Sequence, residues 1–167
     1  MPRHVLGVAA RSRRASRWSS DHGSSSYSTR ARTSVSCGMR PLKILLVEDS
    51  AVLRETLIEA LEEMAPVRVV ATAADEAEAM QKLREHTVDL AIIDVFLKTG
   101  SGLAVLAAAK TMGHDATVVI FSNFANEPMR ARCIELGAAR VFDKSNDIDE
   151  LIAYCIELGA AEPAGRC

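Results

Sequence analysis

The chain has 167 residues, which is room for one domain of ordinary size and a tail. Apolar side chains make up 49% of the sequence, enough for a hydrophobic core, and no apolar run approaches the roughly 18 residues that a membrane-spanning helix needs. The net charge of −2 divides unevenly: residues 1–40 carry eight Arg and one Asp (+7), and the remainder carries 12 Lys and Arg against 21 Asp and Glu (−9). This division indicates a basic tail on an acidic domain.

Residues 1–40 are rich in Ser and Arg and lack apolar periodicity, so we expect this extension to be disordered. Three interpretations are open. The composition is typical of an organellar transit peptide and also of a basic arm that contacts nucleic acid. The third interpretation, which we favour, is a non-native upstream sequence, because Met39 stands directly before the first predicted strand. For the folded part we expect a cytoplasmic location, no membrane association and no nucleic-acid partner.

The four Cys and four His are scattered along the chain. No C-x-x-C pair occurs, and no His stands at metal-ligand spacing from a Cys. A zinc site or a disulfide framework is therefore not expected. Reduced thiols are the simpler interpretation.

From Leu42 onward, continuous apolar runs alternate with stretches of helical periodicity. Uninterrupted apolar runs such as residues 44–47 and 90–93 are typical of strands buried on both faces. Residues 51–64 instead repeat their apolar side chains at the spacing of one helix face. The predicted strands are 44–47, 67–72, 90–93, 117–121 and 140–142, and the predicted helices are 51–64, 75–86, 103–112, 126–136 and 147–158.

Three of the helices have recognisable start signals. Asp75 precedes Glu78, and Asp147 precedes Glu150, at the spacing of a capping box. Asn126 is a preferred N-cap residue ahead of a Pro in the first turn.

Strands that alternate with helices predict an α/β domain, a parallel sheet with helices on both faces. We expect this domain to occupy residues 41–159, followed by a flexible tail at 160–167. In such sheets the functional crevice lies at the carboxyl ends of the strands.

Polar side chains stand directly after four of the five predicted strands. Three of them are carboxylates, which repel one another when they share a pocket and so need a cation. Mg²⁺ suits such a site, because it takes one or two carboxylates together with water and phosphate oxygens. These residues are Glu48 and Asp49 after the first strand, Asp94 after the third, Ser122 and Asn123 after the fourth, and Lys144 after the fifth.

The charges of this set balance. The three carboxylates contribute −3, and Mg²⁺ with Lys144 contributes +3. An acyl phosphate on Asp94 would replace a charge of −1 with about −2, leaving about one excess negative charge. A hydroxyl such as that of Ser122 can then donate a hydrogen bond to the new oxygens, which is a physical basis for a switch.

As a set, these residues resemble the response-regulator receiver domains of bacterial two-component systems, in particular the stand-alone, chemotaxis-regulator-like type. The likeness extends over about residues 42–158. It implies a flavodoxin-like, doubly wound fold with five helices and a sheet in the order 2-1-3-4-5. The matching motifs are Leu45-Leu46-Val47-Glu48-Asp49-Ser50, Ile92-Ile93-Asp94 with Leu97 and Gly102, Val119-Ile120-Phe121-Ser122, and Gly137-Ala138 leading to Asp143-Lys144.

The resemblance also implies the role of each site residue. Asp94 would accept a phosphoryl group from the phosphohistidine of a kinase. Asp49, Glu48, Asp94 and the backbone carbonyl of Phe96 would hold Mg²⁺. Lys144 would pair with the phosphoryl group, and Ser122 would report it. Such a domain is a self-phosphorylating signalling module and not a turnover enzyme.

Three positions depart from the family pattern. The aromatic switch residue expected three before the Lys is replaced by Val141, with Phe142 beside it. Ser145 stands where the family usually has Pro after the Lys. Asn123 replaces the usual small residue after the switch hydroxyl. The usual route from phosphorylation to readout is therefore altered.

Two aromatic residues are expected to flank the phosphoryl group. Phe96 lies two residues after Asp94, and Phe124 lies two after Ser122. They either hinder the attack of water, which would give a long-lived acyl phosphate, or simply close the edge of the core.

The partners implied are a histidine kinase, a histidine phosphotransfer protein, or both, and a downstream protein that binds the face from Asn126 to Leu158. Alternative functions require residues that differ from those of this sequence. A haloacid-dehalogenase-type phosphohydrolase needs a second Asp where Phe96 stands, and in an FMN-binding protein Glu48 and Asp49 would repel the phosphate. A receiver-like scaffold that takes no phosphate is a further alternative.

Overall fold

The computed structural model describes residues 40–113 and 115–161. They form five parallel strands, each followed by a helix. The extension expected at residues 1–39 and the end of the expected tail, with Cys37, Cys167 and His114, lie outside them. The elements are β1 (Leu42–Val47), α1 (Ala51–Met64), β2 (Val67–Ala73), α2 (Glu76–Glu85), β3 (Leu90–Ile93), α3 (Gly102–Thr111), β4 (Thr117–Ser122), α4 (Glu127–Glu135), β5 (Arg140–Asp143) and α5 (Ile148–Ala161).

The strand order is β2-β1-β3-β4-β5, which confirms the predicted flavodoxin-like topology. All neighbouring strands pair in parallel. From β1 the chain moves outward to β2 and then returns to place β3 on the other side of β1. This reversal opens a crevice beyond the carboxyl ends of β1 and β3. The residues that follow those two strands are therefore brought together.

The sheet separates two hydrophobic cores. On one face, Leu45 and Val47 of β1 pack with residues of α2, α3 and α4. On the other face, Ile44 and Leu46 pack with residues of α1 and α5. Because side chains alternate between faces and both faces are covered, β1 and β3 must be apolar at nearly every position, as their sequences are.

Two of the predicted helix starts are confirmed. The Asp75 carboxylate accepts a hydrogen bond from the Glu78 N–H at 2.8 Å, and the Glu78 carboxylate accepts one from the Ala74 N–H at 2.8 Å. Asn126 accepts from the Met129 N–H at 3.0 Å. These bonds satisfy backbone donors that have no partner within the helix.

The last helix begins where it was predicted to begin, but its expected N-cap bond and its C-terminal end differ from the prediction. It begins after Asp147 as expected, but the Asp147 carboxylate accepts from the Asp143 N–H and from Arg130. It also continues to Ala161, three residues beyond the predicted end at 158. Gly159 does not stop it, because this glycine is buried inside the helix against Pro66.

Within the part of the chain that the structure describes, no helix combines the length and the apolar character needed to cross a membrane.

Cys133 on α4 and Cys155 on α5 are free thiols with no exposed surface. Burial raises the pKa of Cys133, and it raises the pKa of Cys155 to about 12. A folded Cys155 therefore keeps its proton at pH values where an unfolded thiol has ionised. Its contribution to stability is complete below the unfolded pKa of 9.0 and is lost as the pH rises toward 12.

We expect the free energy of unfolding of the wild type to fall with pH above 9 more steeply than that of Cys155→Ala, by up to about 1.4 kcal/mol per pH unit. Urea unfolding of both proteins at pH 8, 9, 10 and 10.5 measures this difference. Groups remote from position 155 titrate alike in both proteins and cancel, whereas the neighbouring Tyr154 is influenced by Cys155. Parallel stability curves for the two proteins would contradict the prediction.

Candidate functional site

A polar cavity of about 370 Å³ lies at the carboxyl edge of the sheet. It brings together the residues predicted from the ends of four strands. Val141 and Phe142 do not line it. The lining residues are Glu48, Asp49, Ser50, Leu53, Asp94, Phe96, Ser122, Asn123, Phe124 and Lys144.

Lys144 is at the centre of this site. Its Nζ donates to Glu48 Oε2 at 2.5 Å and to Asp94 Oδ2 at 2.6 Å. The Lys144 side chain is only 5% exposed, so these charge-assisted bonds are weakly screened by solvent. One ammonium group therefore joins the ends of β1 and β3 to the turn after β5.

Each carboxylate that binds Lys144 also has a backbone donor. Asp94 Oδ1 accepts from the Phe96 N–H at 3.2 Å, and Glu48 Oε1 accepts from the Ser50 N–H at 3.1 Å. Both groups are thereby fixed in orientation. The Asp94 side chain is 10% exposed, so it is held firmly but can still be reached from the cavity.

Asp49 occupies the more open side of the cluster. Its carboxylate lies 3.8 Å from the Nζ of Lys98, whose side chain is largely exposed. An ion pair of this kind is weak and readily exchanged, because both solvent and side-chain entropy oppose it. Asp49 is therefore free to bind another cation.

The three carboxylates fit a hard divalent cation. One oxygen from each of Glu48, Asp49 and Asp94 lies within 4.8 Å of the other two. Together with Lys144 the cluster carries a formal charge of −2, which one Mg²⁺ would neutralise. The cluster predicted from sequence is thus assembled, and its all-oxygen donor set suits Mg²⁺.

The Asp94 backbone is closely covered by Gly102, the first residue of α3. A Cβ at position 102 would lie 1.9 Å from the Asp94 carbonyl oxygen, so no other residue fits there without displacement. The Gly102 N–H also donates to the Val95 carbonyl at 3.0 Å. The start of α3 thus holds the loop that carries Asp94.

Ser122 ends β4 with no exposed surface. Its hydroxyl oxygen accepts from the Phe124 N–H at 3.5 Å, and its carbonyl accepts from the Lys144 N–H at 3.2 Å. Asn123 is exposed at the rim of the cavity. The hydroxyl predicted to report phosphorylation therefore lies in the cavity and is linked through the backbone to Lys144.

Phe96 and Phe124 are in contact at the mouth of the cavity. Their ring centroids are 4.7 Å apart with an interplanar angle of 64°, an edge-to-face arrangement. Both rings are about half exposed, at 52% and 57%. That each ring flanks the site was predicted from the sequence, whereas the contact between the two rings was not.

Val141 and Phe142 lie on opposite faces of the sheet. Val141 packs in the core beneath α2, α3 and α4, and Phe142 packs in the core beneath α1 and α5. The Phe142 ring is 5.9 Å from that of Tyr154 on α5. Phe142 therefore does not occupy the position of the missing switch aromatic.

Two residues near the site were not singled out from the sequence. Lys98 approaches Asp49, and Arg54 donates through Nη1 to the Glu48 carbonyl at 2.8 Å. The position of Arg54, one helical turn after the N-cap Ser50, was a usable signal. The approach of Lys98 depends on the conformation of a loop and left no signal in the sequence.

Comparisons with known proteins identify the family of this domain. Residues 44–156 match the family model of the response regulator receiver domain. The oxygen regulatory protein NreC of Staphylococcus epidermidis is 32% identical over 112 residues, covering 66% of this chain and 51% of that protein. A protein-glutamate methylesterase/protein-glutamine glutaminase of Clostridium acetobutylicum is 26% identical over 123 residues, covering 68% of this chain and 36% of that protein.

The chain thus spans about one third to one half of the length of these two curated relatives. Among solved structures, a chain of the CheX–CheY–BeF₃–Mg²⁺ complex from Borrelia burgdorferi superposes with a TM-score of 0.65 at 22% identity, covering 71% of this chain and 89% of that chain. At this level of identity the likeness establishes the fold.

The fold and the acidic, Lys-bridged cavity define a receiver-type α/β domain. The chain belongs to the family of response regulator receiver domains. This assignment leaves the phosphohydrolase and FMN-binding alternatives without support.

We expect Gly102→Ala to lower the free energy of unfolding by about 1–3 kcal/mol, the usual cost of overpacking. The reason is the steric conflict between the new Cβ and the Asp94 carbonyl. Urea unfolding measures the loss. Gly159→Ala is the matched control, because its Cβ would meet Pro66 at an ordinary 3.5 Å. The control should be neutral or stabilising, and equal effects of the two substitutions would contradict the prediction.

Proposed function

We propose that this chain acts as a response-regulator receiver that accepts a phosphoryl group on Asp94 from a histidine kinase in the cytoplasm. The observation that carries the proposal is the state of the Asp94 carboxylate. One of its oxygens is bound by Lys144, two further carboxylates lie beside it, and the group borders an open cavity. A carboxylate held only for structural reasons would not need this excess of negative charge around it.

In the proposed reaction, a carboxylate oxygen of Asp94 attacks the phosphorus of a phosphohistidine. The P–N bond breaks, and its electron pair returns to the imidazole. Lys144, already within 2.6 Å of Asp94, donates to a phosphoryl oxygen. Glu48, Asp49, Asp94 and the Phe96 carbonyl would hold Mg²⁺, which would supply positive charge to offset that of the transferred group. The chain therefore contributes positioning and charge stabilisation.

The proposed output is a change in protein contacts or relay to a histidine phosphotransfer protein. Phosphorylation adds about one negative charge to a site that Mg²⁺ balances at rest. The buried Ser122 hydroxyl, now accepting from the Phe124 N–H, would turn to donate to the phosphoryl group. We place the contact on the face from Asn126 to Leu158, where Ile134, Ile148 and Ile156 are exposed at 51%, 36% and 43%.

Incubation of the chain with acetyl phosphate and Mg²⁺ should add one phosphate to the wild type, measured as intact mass. Asp94→Ala should add none, because the nucleophile is gone. Omission of Mg²⁺ should slow the reaction by at least about 100-fold, the order of effect expected when charge stabilisation of a transition state is lost.

Asp89→Ala is the matched control for Asp94→Ala. This carboxylate precedes β3 at the opposite edge of the sheet, where it pairs with Arg40. It should react as the wild type does. No mass increase on the wild type would instead support the scaffold that takes no phosphate. An equal increase on Asp94→Ala would show that another residue accepts the phosphoryl group, and would contradict the role of Asp94.

We also propose that the contacting rings of Phe96 and Phe124 shield the acyl phosphate from water. The two half-exposed rings are in contact at the mouth of the cavity, and neither carries a polar group that could orient a hydrolytic water. The phosphorylated state should therefore be long-lived for a receiver.

Phe96→Asn and Phe124→Glu should each hydrolyse the acyl phosphate about tenfold faster than the wild type, a modest share of what a positioned polar group contributes. The measurement is the loss of phosphate mass after removal of acetyl phosphate. Phe124→Leu, which keeps an apolar side chain, should change the rate less than Phe124→Glu. If neither polar variant is faster, the rings only cover the edge of the core.

A further inference from the structure

Arg130 on α4 connects three separate segments of the chain. Its Nε donates to the Ala125 carbonyl at 2.7 Å, its Nη1 donates to the Val141 carbonyl, and its Nη2 donates to Asp147 Oδ2 at 3.2 Å. These acceptors belong to the loop after β4, to β5 and to the residue that precedes α5. A planar guanidinium with fixed donor directions is suited to holding three acceptors in one geometry.

The Asp147 carboxylate continues this network into the turn that carries Lys144. The same Oδ2 that binds Arg130 accepts from the Asp143 N–H at 2.8 Å. The Asp143 carbonyl accepts from the N–H groups of Asn146 and Asp147 at 3.2 and 2.8 Å. Asp143 Oδ1 accepts from the Ser145 N–H at 2.7 Å. Lys144 thus lies in a turn in which Ser145, Asn146 and Asp147 are each hydrogen-bonded to Asp143.

The turn depends on these bonds because its sequence supplies little rigidity. Ser145 follows Lys144, and a serine leaves the backbone more freedom than a proline would. The Lys144 ammonium must nevertheless reach two carboxylates that follow different strands, Glu48 after β1 and Asp94 after β3. A small displacement of the turn would move the charged end of a long side chain out of both contacts.

We propose that Arg130 is a positioning residue for phosphoryl transfer: through Asp147 and the β5 backbone, it holds the turn that places Lys144 at Asp94. The inference rests on the proposed function of Asp94. Arg130 itself does not line the cavity, so it acts on the reaction only through the residues that it holds.

Arg130→Gln should slow phosphorylation by acetyl phosphate about tenfold, since small misplacements of a catalytic group are costly. Asp147→Asn should have a smaller effect, because the amide oxygen can still accept from the Asp143 N–H. Arg84→Gln is the matched control. Arg84 is exposed in the last turn of α2, outside the site and the proposed contact face, and its substitution should leave the rate unchanged.

A double-mutant cycle separates positioning from a general effect on stability. In a Lys144→Ala background, followed over hours to allow for a slow reaction, Arg130→Gln should cause no further loss of rate, because the residue that it positions is absent. Thermal unfolding of each variant establishes that the protein is folded at the assay temperature. Should Arg130→Gln not fold, the same cycle with Asp147→Asn replaces it.

An Arg130→Gln rate equal to that of the wild type would overturn the inference. An equal slowing with and without Lys144 would also overturn it, because Arg130 would then act by another route. Failure of the wild type itself to take up phosphate would overturn the proposed function and this inference together, and that result is separate from the other two.

Discussion

The Lys144 ammonium group lies between Glu48 and Asp94, and the side chains of all three residues are at most 10% exposed. Removing charged groups from water costs several kcal/mol per ion, and the loss is repaid only when the geometry is good and the remaining lone pairs are satisfied. Both carboxylates meet this condition, since each also accepts from a backbone N–H. The surrounding fold holds the segments that follow β1, β3 and β5 in position for this contact.

The sheet provides that constraint. β1 and β3 are neighbours, and β4 carries Ser122, whose carbonyl accepts from the Lys144 N–H. The start of α3 fits so closely over Asp94 that only glycine is accommodated at position 102. Within the part of the chain that the structure describes, every buried side-chain nitrogen and oxygen has a hydrogen-bond partner. The positions of the site residues are therefore set in advance by their surroundings. What a bound ligand can change is the net charge of the site.

The sequence predicted the features that depend on local pattern. Uninterrupted apolar runs marked the buried strands, and Asn126 marked a helix start, because both signals arise within a few neighbouring residues. The site was predictable for a different reason: in a parallel sheet the residue after each strand is delivered to one edge, so Asp94 and Lys144 could be brought together without knowing any distance.

The misses were features decided by tertiary contact. Asp147 has the local signature of a helix cap, but its carboxylate accepts from Arg130 and from the backbone of β5. Gly159 resembles a helix stop, but α5 continues through it to Ala161, with the glycine buried next to Pro66. In both cases a local preference worth about 1 kcal/mol yields to contacts made by a distant segment.

The two faces of β5 limit how a change at Asp94 can reach the surface. Phe142 is packed beneath α5, so on the α4 side β5 presents the small Val141, which has no ring that could swing. Hydrogen bonds to the backbone connect the site with α4. The Lys144 N–H donates to the Ser122 carbonyl, and the Arg130 side chain donates to the carbonyls of Ala125 and Val141. Because these bonds tie the loop after β4 to the turn after β5, displacement of Ser122 must strain the contacts of Arg130. In this chain, readout through backbone segments moving together is physically more accessible than readout through rotation of an aromatic side chain.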